Sequence, residues 1–357
     1  MVENKQMQKA GNNATQIQVE KIEYNNGVSL ETVTQIVKNE ITIALKENSL
    51  VAEDKARSRL TEFSNIFLPQ LIKSNLLECF SEPAIQFFFR NVEKTAMCTD
   101  SKHCYKMLSE ILVHRANKKD DFTIVAATNK AIEVADKISD DALLFLTIFL
   151  FIDGFIPNSG DIKQGLKTLD DLYENILRGK QIPFNQKIID NLEIVDAIRR
   201  QNFLSHKKFD EFFPNLLEGY SSAGIDKYSE NYQKLKDLLK EIGIKENDIF
   251  SEALVENHIR INVVNRAKLV DMLISNQQDK VNNLLNQMYD LYDKSPEKME
   301  MANKKFCSIV QEYPNLQKVK NWWDNNMIDC GINITPIGKV LAHTNAKCLD
   351  NNIPDLN

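Results

Sequence analysis

The stretch from Ala142 to Ile152 (ALLFLTIFLFI) is the longest apolar run in the chain, 11 residues closed by Asp153, Gly154 and Pro157. A membrane-spanning helix needs about 18–20 such residues, so this run reads as a helix buried in a protein core. Ser139 stands where a capping residue is wanted, and Asp140 and Asp141 in the first turn complement the helix dipole. The rest of the chain can supply the surrounding core: 357 residues with 43% hydrophobic content are enough for two or three ordinary domains. With only 11 Gly and 9 Pro, long helices are favoured over a turn-rich sandwich or barrel, and the expected class is mainly α.

A net charge of −6 argues against a surface that tracks phosphate along its whole length, although a local basic patch remains compatible with it. Met1 to Asn26 is polar and amide-rich with no apolar h-region, so a signal peptide is not expected. The six cysteines (Cys79, Cys98, Cys104, Cys307, Cys330, Cys348) form no CxxC pair in a chain too large to need disulfide staples. They fit reduced, packed thiols, hence a cytoplasmic setting without a membrane.

Four regions follow from the patterning. Residues 1–27 form a polar segment, partly β or disordered, with an imperfect alternation at Ile17, Val19, Ile22 and Tyr24. Residues 28–180 hold a long helix and a helical core. Val33, Ile36, Val37, Ile41, Ala44 and Leu45 recur at helical spacing, and the register continues through Ala52, Ala56, Leu60, Phe63 and Phe67 to an end near Pro69. Such a helix cannot bury its stripe alone and needs a partner helix or a second copy of itself. Residues 181–225, with Pro183, Pro214 and mixed aromatic and basic residues, read as an irregular linker. Residues 226–357 form a helical domain, with helices expected over 227–242, 249–261, 263–292 and 297–313. It ends in a small α+β cap, a strand over 331–334 followed by a last helix from Thr335.

No GxxxxGK[ST] and no GxGxxG after a strand is present, which sets aside a P-loop or Rossmann enzyme and any nucleotide cofactor held that way. Cys98, His103 and Cys104 lack a second Cys/His cluster at zinc-finger spacing, so no metal is expected. Glu110 and His114, four residues apart, share a helix face, a geometry open to an acid/base pair and equally to an ordinary solvated face. The candidate catalytic residues are Arg200 and His206. Between Lys304 and Cys348 six Lys face three acids, Glu312, Asp324 and Asp329, so Lys339 and Lys347 are the candidates for a nucleic-acid contact. Trp322 and Trp323 beside them are expected to be core and rim rather than stacking platforms. Gly11, Asn12, Asn13, Thr15, Gln16, Ile17 and Gln18 are candidates for assembly, because amide side chains stack in ladders between identical strands.

The spacing Arg200-x5-His206 resembles that of HEPN-type ribonucleases, small α-helical domains; the resemblance implies His206 acting on a ribose 2′-hydroxyl and Arg200 on the phosphate. Gln201, directly after the Arg, is an imperfect fit to that pattern. Thr335-Pro336-x-Gly338-x-x-Leu341 after a short strand resembles the wing-to-last-helix step of bacterial winged-helix domains, and the ending is also similar to that of abortive-infection proteins. The string Gly11 to Gln18 resembles Gly-Asn-Asn-Ser-like segments of bacterial conflict and signalling proteins, some of which assemble between copies. Taken with Ser109 to Arg115, Ser139 to Leu143 and the Thr335 ending, the chain resembles an uncharacterised bacterial family of medium-sized helical proteins. The resulting expectation is a non-enzymatic, self-associating regulatory protein, a homo-oligomer with a further protein partner, in antiviral defence. A helical ribonuclease and a winged-helix DNA-binding regulator are the alternatives.

Overall fold

The computed structural model describes residues 30–74, 76–117, 121–201, 203, 205–271 and 278–356. Among them stand fifteen α-helices and five short strands, so the chain is mainly α with small sheets. The expected N-terminal strands and the assembly candidates Gly11 to Gln18 lie outside the described residues. No helix among the described residues is long and apolar enough to cross a membrane.

The described residues fall into two units, 30–57 and 58–356, and the first helix, α1 (Leu30–Lys73), contributes to both. In residues 30–57 the described side chains are exposed, apart from a half-buried Ala56. From residue 58 onward the expected stripe is buried at Phe63 and Phe67, and Leu71, beyond its expected end, is buried too. Sequence reasoning ends this helix near Pro69, yet it runs four residues further. The missing proline N–H costs one hydrogen bond near the helix end, where Leu71, anchored in the core, holds the last turn.

The second unit is built around the apolar helix. After α2 (Pro83–Cys98), α3 (Lys102–Asn117) and α4 (Phe122–Val134) comes α5 (Asp140–Gly154), with Ser139 Oγ accepting the Ala142 N–H at 3.2 Å. All residues of α5 from Ala142 to Phe149 are buried. α6 (Ile162–Leu177) is capped by Asp161 and ends on two successive left-handed residues, Arg178 and Gly179. The last helix, α15 (Pro336–Leu349), packs against α3, α4 and α5 and fills the centre of the core.

Residues 181–225, expected to be irregular, contain α7 (Gln186–Ile194), strand β1 (Ile198–Arg200), α8 (Phe209–Leu216) and α9 (Glu218–Ser221). Ile188, Leu192, Ile198, Phe209, Phe213 and Tyr220 from these elements belong to the same core as α5. Their apolar residues are spread over short elements, which leaves no window long enough to show a period.

A second hydrophobic cluster surrounds a three-stranded antiparallel sheet, where β2 (Ile225–Asp226) and β3 (Phe250–Glu252) flank β4 (His258–Ile261). α10 (Glu230–Ile242), α11 (Glu246–Ile249) and α12 (Gln278–Asp290) complete this part. The helix expected over 249–261 is therefore a hairpin. Asn257 supplies the left-handed turn at φ 59°, and all four residues of β4 are buried, which an extended run achieves by two-sided packing. The Arg260 guanidinium joins this sheet to the loop before α6. It donates to Gly160 O at 2.7 Å and to Ile261 O at 3.2 Å, and lies over the Tyr220 ring.

α13 (Pro296–Val310) and α14 (Pro314–Asn326) lead to β5 (Ile332–Ile334), which pairs antiparallel with β1. α14 has no capping side chain of its own; buried Asp170 from α6 accepts the N–H groups of Asn315 at 2.7 Å and Leu316 at 3.0 Å. Thr335-Pro336-x-Gly338 is a device of close backbone approach. Thr335 Oγ1 accepts the Gly338 N–H at 3.1 Å and donates towards Asp196 O at 2.5 Å, while its N–H donates to Ala197 O at 3.0 Å. A Cβ on Gly338 would stand 2.0 Å from Ala197 O. Gly338→Ala is expected to lower stability by about 1–3 kcal/mol, read as a lower urea midpoint with native helical circular dichroism retained before the transition. An unchanged midpoint would mean that β1 and α15 separate without cost.

Candidate functional site

α15 carries three consecutive buried polar residues, His343, Thr344 and Asn345, in the middle of the hydrophobic core. On one side they connect to α5 and α3. Thr147, the one polar residue of the apolar run, donates its hydroxyl to Leu143 O at 2.7 Å and accepts Asn345 Nδ2 at 2.8 Å. Asn345 Oδ1 is thereby left to accept from His103 Nε2 at 2.7 Å. This chain leads from the centre of the core to the half-buried imidazole in the first turn of α3.

On the other side, His343 Nε2 donates to Pro354 O at 2.9 Å. Lys347, one turn on, places its amine 3.3 Å from Glu110 Oε2 and against Asp355, and Glu110 also accepts the Gln70 amide. Lys347 holds the Asp355 carboxyl below its ordinary value, and burial pushes the Cys348 thiol up to about 12. The Glu110/His114 pair thus meets His343, Lys347 and Asp355 around a space of about 10 Å³. That is room for at most one water, since a water needs roughly 10–15 Å³, and it excludes a substrate. A larger cavity of about 290 Å³ adjoins it beneath Ile353, Pro354 and Leu356, floored by Leu150, Phe151 and Phe155.

Arg200 and His206 are held by different elements. Arg200 lies on β1 opposite Ile332, and its guanidinium pairs with Asp190 at 2.6 Å and Glu193 at 2.9 Å, both on α7. The His206 ring stands edge-on between Phe149 of α5 (5.6 Å) and Trp323 of α14 (5.2 Å). Burial lowers its pKa, partly offset by the Ile332 backbone and by the charge of Asp153. Asp153, one turn beyond Phe149, is also within electrostatic reach of Lys339, so two candidates from separate readings, His206 and Lys339, gather at the end of α5. Lys339 is exposed in the first turn of α15, whereas Lys347 is engaged as described above. Trp323 donates to Lys207 O at 2.9 Å and both tryptophans are buried, so they serve the core.

Cys104 is buried with its thiol toward Ala135 O and its pKa pushed up to about 12, while neighbouring His103 turns to Asn345. His103 and Cys104 therefore point to different partners, and Cys98 is exposed. Sequence reasoning missed Thr147, His343, Asn345 and Asp355. A signal was present for Thr147 alone, a single polar residue inside an otherwise apolar run.

Two histidines are held below the ordinary value of 6.5 by burial, His206 and His343. The unfolded chain binds their protons first, so stability is at its full value above that pH and falls as pH drops through the folded-state values. The thermal midpoint is expected to be lower at pH 5.5 than at pH 7.5 (roughly one pH unit either side of the histidine range). The drop should be smaller in His206→Phe, which keeps an aromatic ring against Phe149 and Trp323. An equal drop in both proteins would assign the acid sensitivity elsewhere.

A protein-family model described only as “:-like” matches residues 27–356. No curated protein and no solved structure matches the chain. Every element from α1 to α15 lies within the matched span, and the chain belongs to this uncharacterised family.

Proposed function

We propose that the chain is a non-enzymatic, self-associating interaction protein whose N-terminal helix pairs with that of a second copy. The observation that carries this reading is the change along α1. Leu50 and Val51 are each 55% exposed, whereas Phe63, Phe67 and Leu71 further along the same helix are buried in the core. Burying an exposed Leu or Val contributes about 1.5–3 kcal/mol, so a few such positions on two facing helices suffice for a dimer. A second copy is the preferred occupant because the same exposed apolar side chains, Leu50 and Val51, are presented by both helices in a closed symmetric pair. Gly11 to Gln18 would extend the same interface through amide stacking. The antiviral setting rests on the resemblance of the ending to abortive-infection proteins alone.

The groups that catalysis would use are committed to other contacts, which supports the non-enzymatic reading over the ribonuclease. Arg200 is neutralised by two carboxylates, and Glu110 and His114 line a space without room for substrate. For the DNA-binding reading, Lys347 is similarly paired and Lys339 alone is exposed.

Light scattering on the full chain is expected to give at least twice the mass of one chain. Leu50→Lys with Val51→Lys should shift the protein toward monomer, and a chain starting at Ser29 should be lighter if Gly11 to Gln18 assemble. A full-length monomer at high concentration would sink the reading. RNA incubated with the parent protein and with His206→Ala should remain equally intact; cleavage by the parent that is lost in the variant would put the ribonuclease first.

A further inference from the structure

A cavity of about 340 Å³ lies between the end of α6, the start of α5 and the end of α15. It is at the lower end of the ~300–1,000 Å³ range of small-molecule sites. Its floor is aliphatic, formed by Leu143, Leu144, Ile176, Leu177 and Leu349, with no aromatic ring. Its rim carries Arg178, Lys180, His103 and a single acid, Asp140.

Two features of the rim go beyond composition. Arg178 is held at φ 48° and ψ 43°, a left-handed conformation that disfavours any residue with a Cβ, although glycine or asparagine would cap α6 more cheaply. The guanidinium keeps it there by donating through Nε to Asn175 O at 3.2 Å and through Nη2 to Leu349 O at 2.8 Å. Those bonds use one face of the fork and leave Nη1 for another acceptor. Strain held in this way is found at ligand clamps, where a particular side chain is needed at a particular point. His103 is likewise set in orientation, because Asn345 fixes its Nε2 as the donor and leaves Nδ1 at the rim. The Asp140 charge is balanced at the N-terminus of α5, where Ser139 caps the helix. Lys180 is exposed, with no ion pair given to it by any described residue.

We propose that this cavity binds a small aliphatic carboxylate, its chain on the leucine and isoleucine floor and its carboxylate between Arg178 and Lys180. An aromatic acid fits less well, since no ring lines the floor to stack on it. Two sources share this chemistry, a free fatty acid and a peptide ending in leucine.

The test is titration calorimetry of the full chain with octanoate, N-acetyl-leucine and octylamine, all below their aggregation limits. Octanoate or N-acetyl-leucine should bind and octylamine should not; whichever carboxylate binds more tightly identifies the source. Lys180→Glu and Arg178→Asn should each weaken binding roughly tenfold or more, the effect of losing one charge-assisted hydrogen bond. Asparagine tolerates the left-handed conformation, so Arg178→Asn should retain the parent's cooperative melting, which separates loss of binding from loss of fold. Octylamine binding better than the carboxylates, no binding of either carboxylate, or carboxylate affinity unchanged in both variants would each overturn the proposal. A lighter or heavier oligomer would not bear on it, because the cavity lies within residues 58–356 of one chain.

Discussion

The insertion of α15 against α5 is the contact on which the rest of the second unit depends. α5 is apolar on nearly every face, and α15, almost 200 residues later in the chain, covers the side that α6 and α7 leave open and joins α5 to α3 and α4. Its position is set at the start by Thr335 and Gly338, which seat the first turn on the carbonyls of Asp196 and Ala197. Residues 58–154 therefore cannot complete their core until the end of the chain arrives, a non-local requirement that slows folding. β1 and β5, only three residues each, serve as the register pin for that arrival.

The same contact explains why a core helix carries polar groups. A buried amide left unpaired costs about 1–3 kcal/mol, whereas Asn345 has both ends engaged, by Thr147 and by His103. Such a network fixes the rotation of α15 relative to α5 and α3, because a turn of the helix by one residue would break every bond in it. The segment from Asp350 to Leu356 adds a second fastening. His343 holds Pro354, Lys347 holds Asp355, and Ile353 is buried. The Glu110/His114 pair belongs to this fastening, which accounts for the minute space around it.

The sheet-bearing part, around β2, β3 and β4, is attached differently. Arg260 is buried among carbonyl oxygens, and desolvation lowers its pKa, with no carboxylate among the described residues close enough to form an ion pair. Its two Nη groups are satisfied by backbone acceptors and the guanidinium lies over the Tyr220 face, while Nε is buried without a hydrogen-bond partner among the described residues. Gly160 permits the approach, since a Cβ there would meet Asn262 O at 1.7 Å. One residue thus ties the second hydrophobic cluster to the loop that opens α6.

The sequence by itself determined the helical class and the buried identity of α5 with its Ser139 cap. It also determined the strand-then-helix ending, because each of these depends on side chains within one or two turns of one another. Periodicity, capping and dipole complementarity are local, and they survive in the linear order of residues. Tertiary structure alone decided the fate of Arg200, His206, Glu110 and His114, since their partners (Asp190 and Glu193, Phe149 and Trp323, Lys347) come from other elements at separations that no spacing rule encodes. It also turned 249–261 into a hairpin and 181–225 into part of the core. A short run of apolar residues is compatible with a helix or a strand, and only the surfaces available to bury it choose between them.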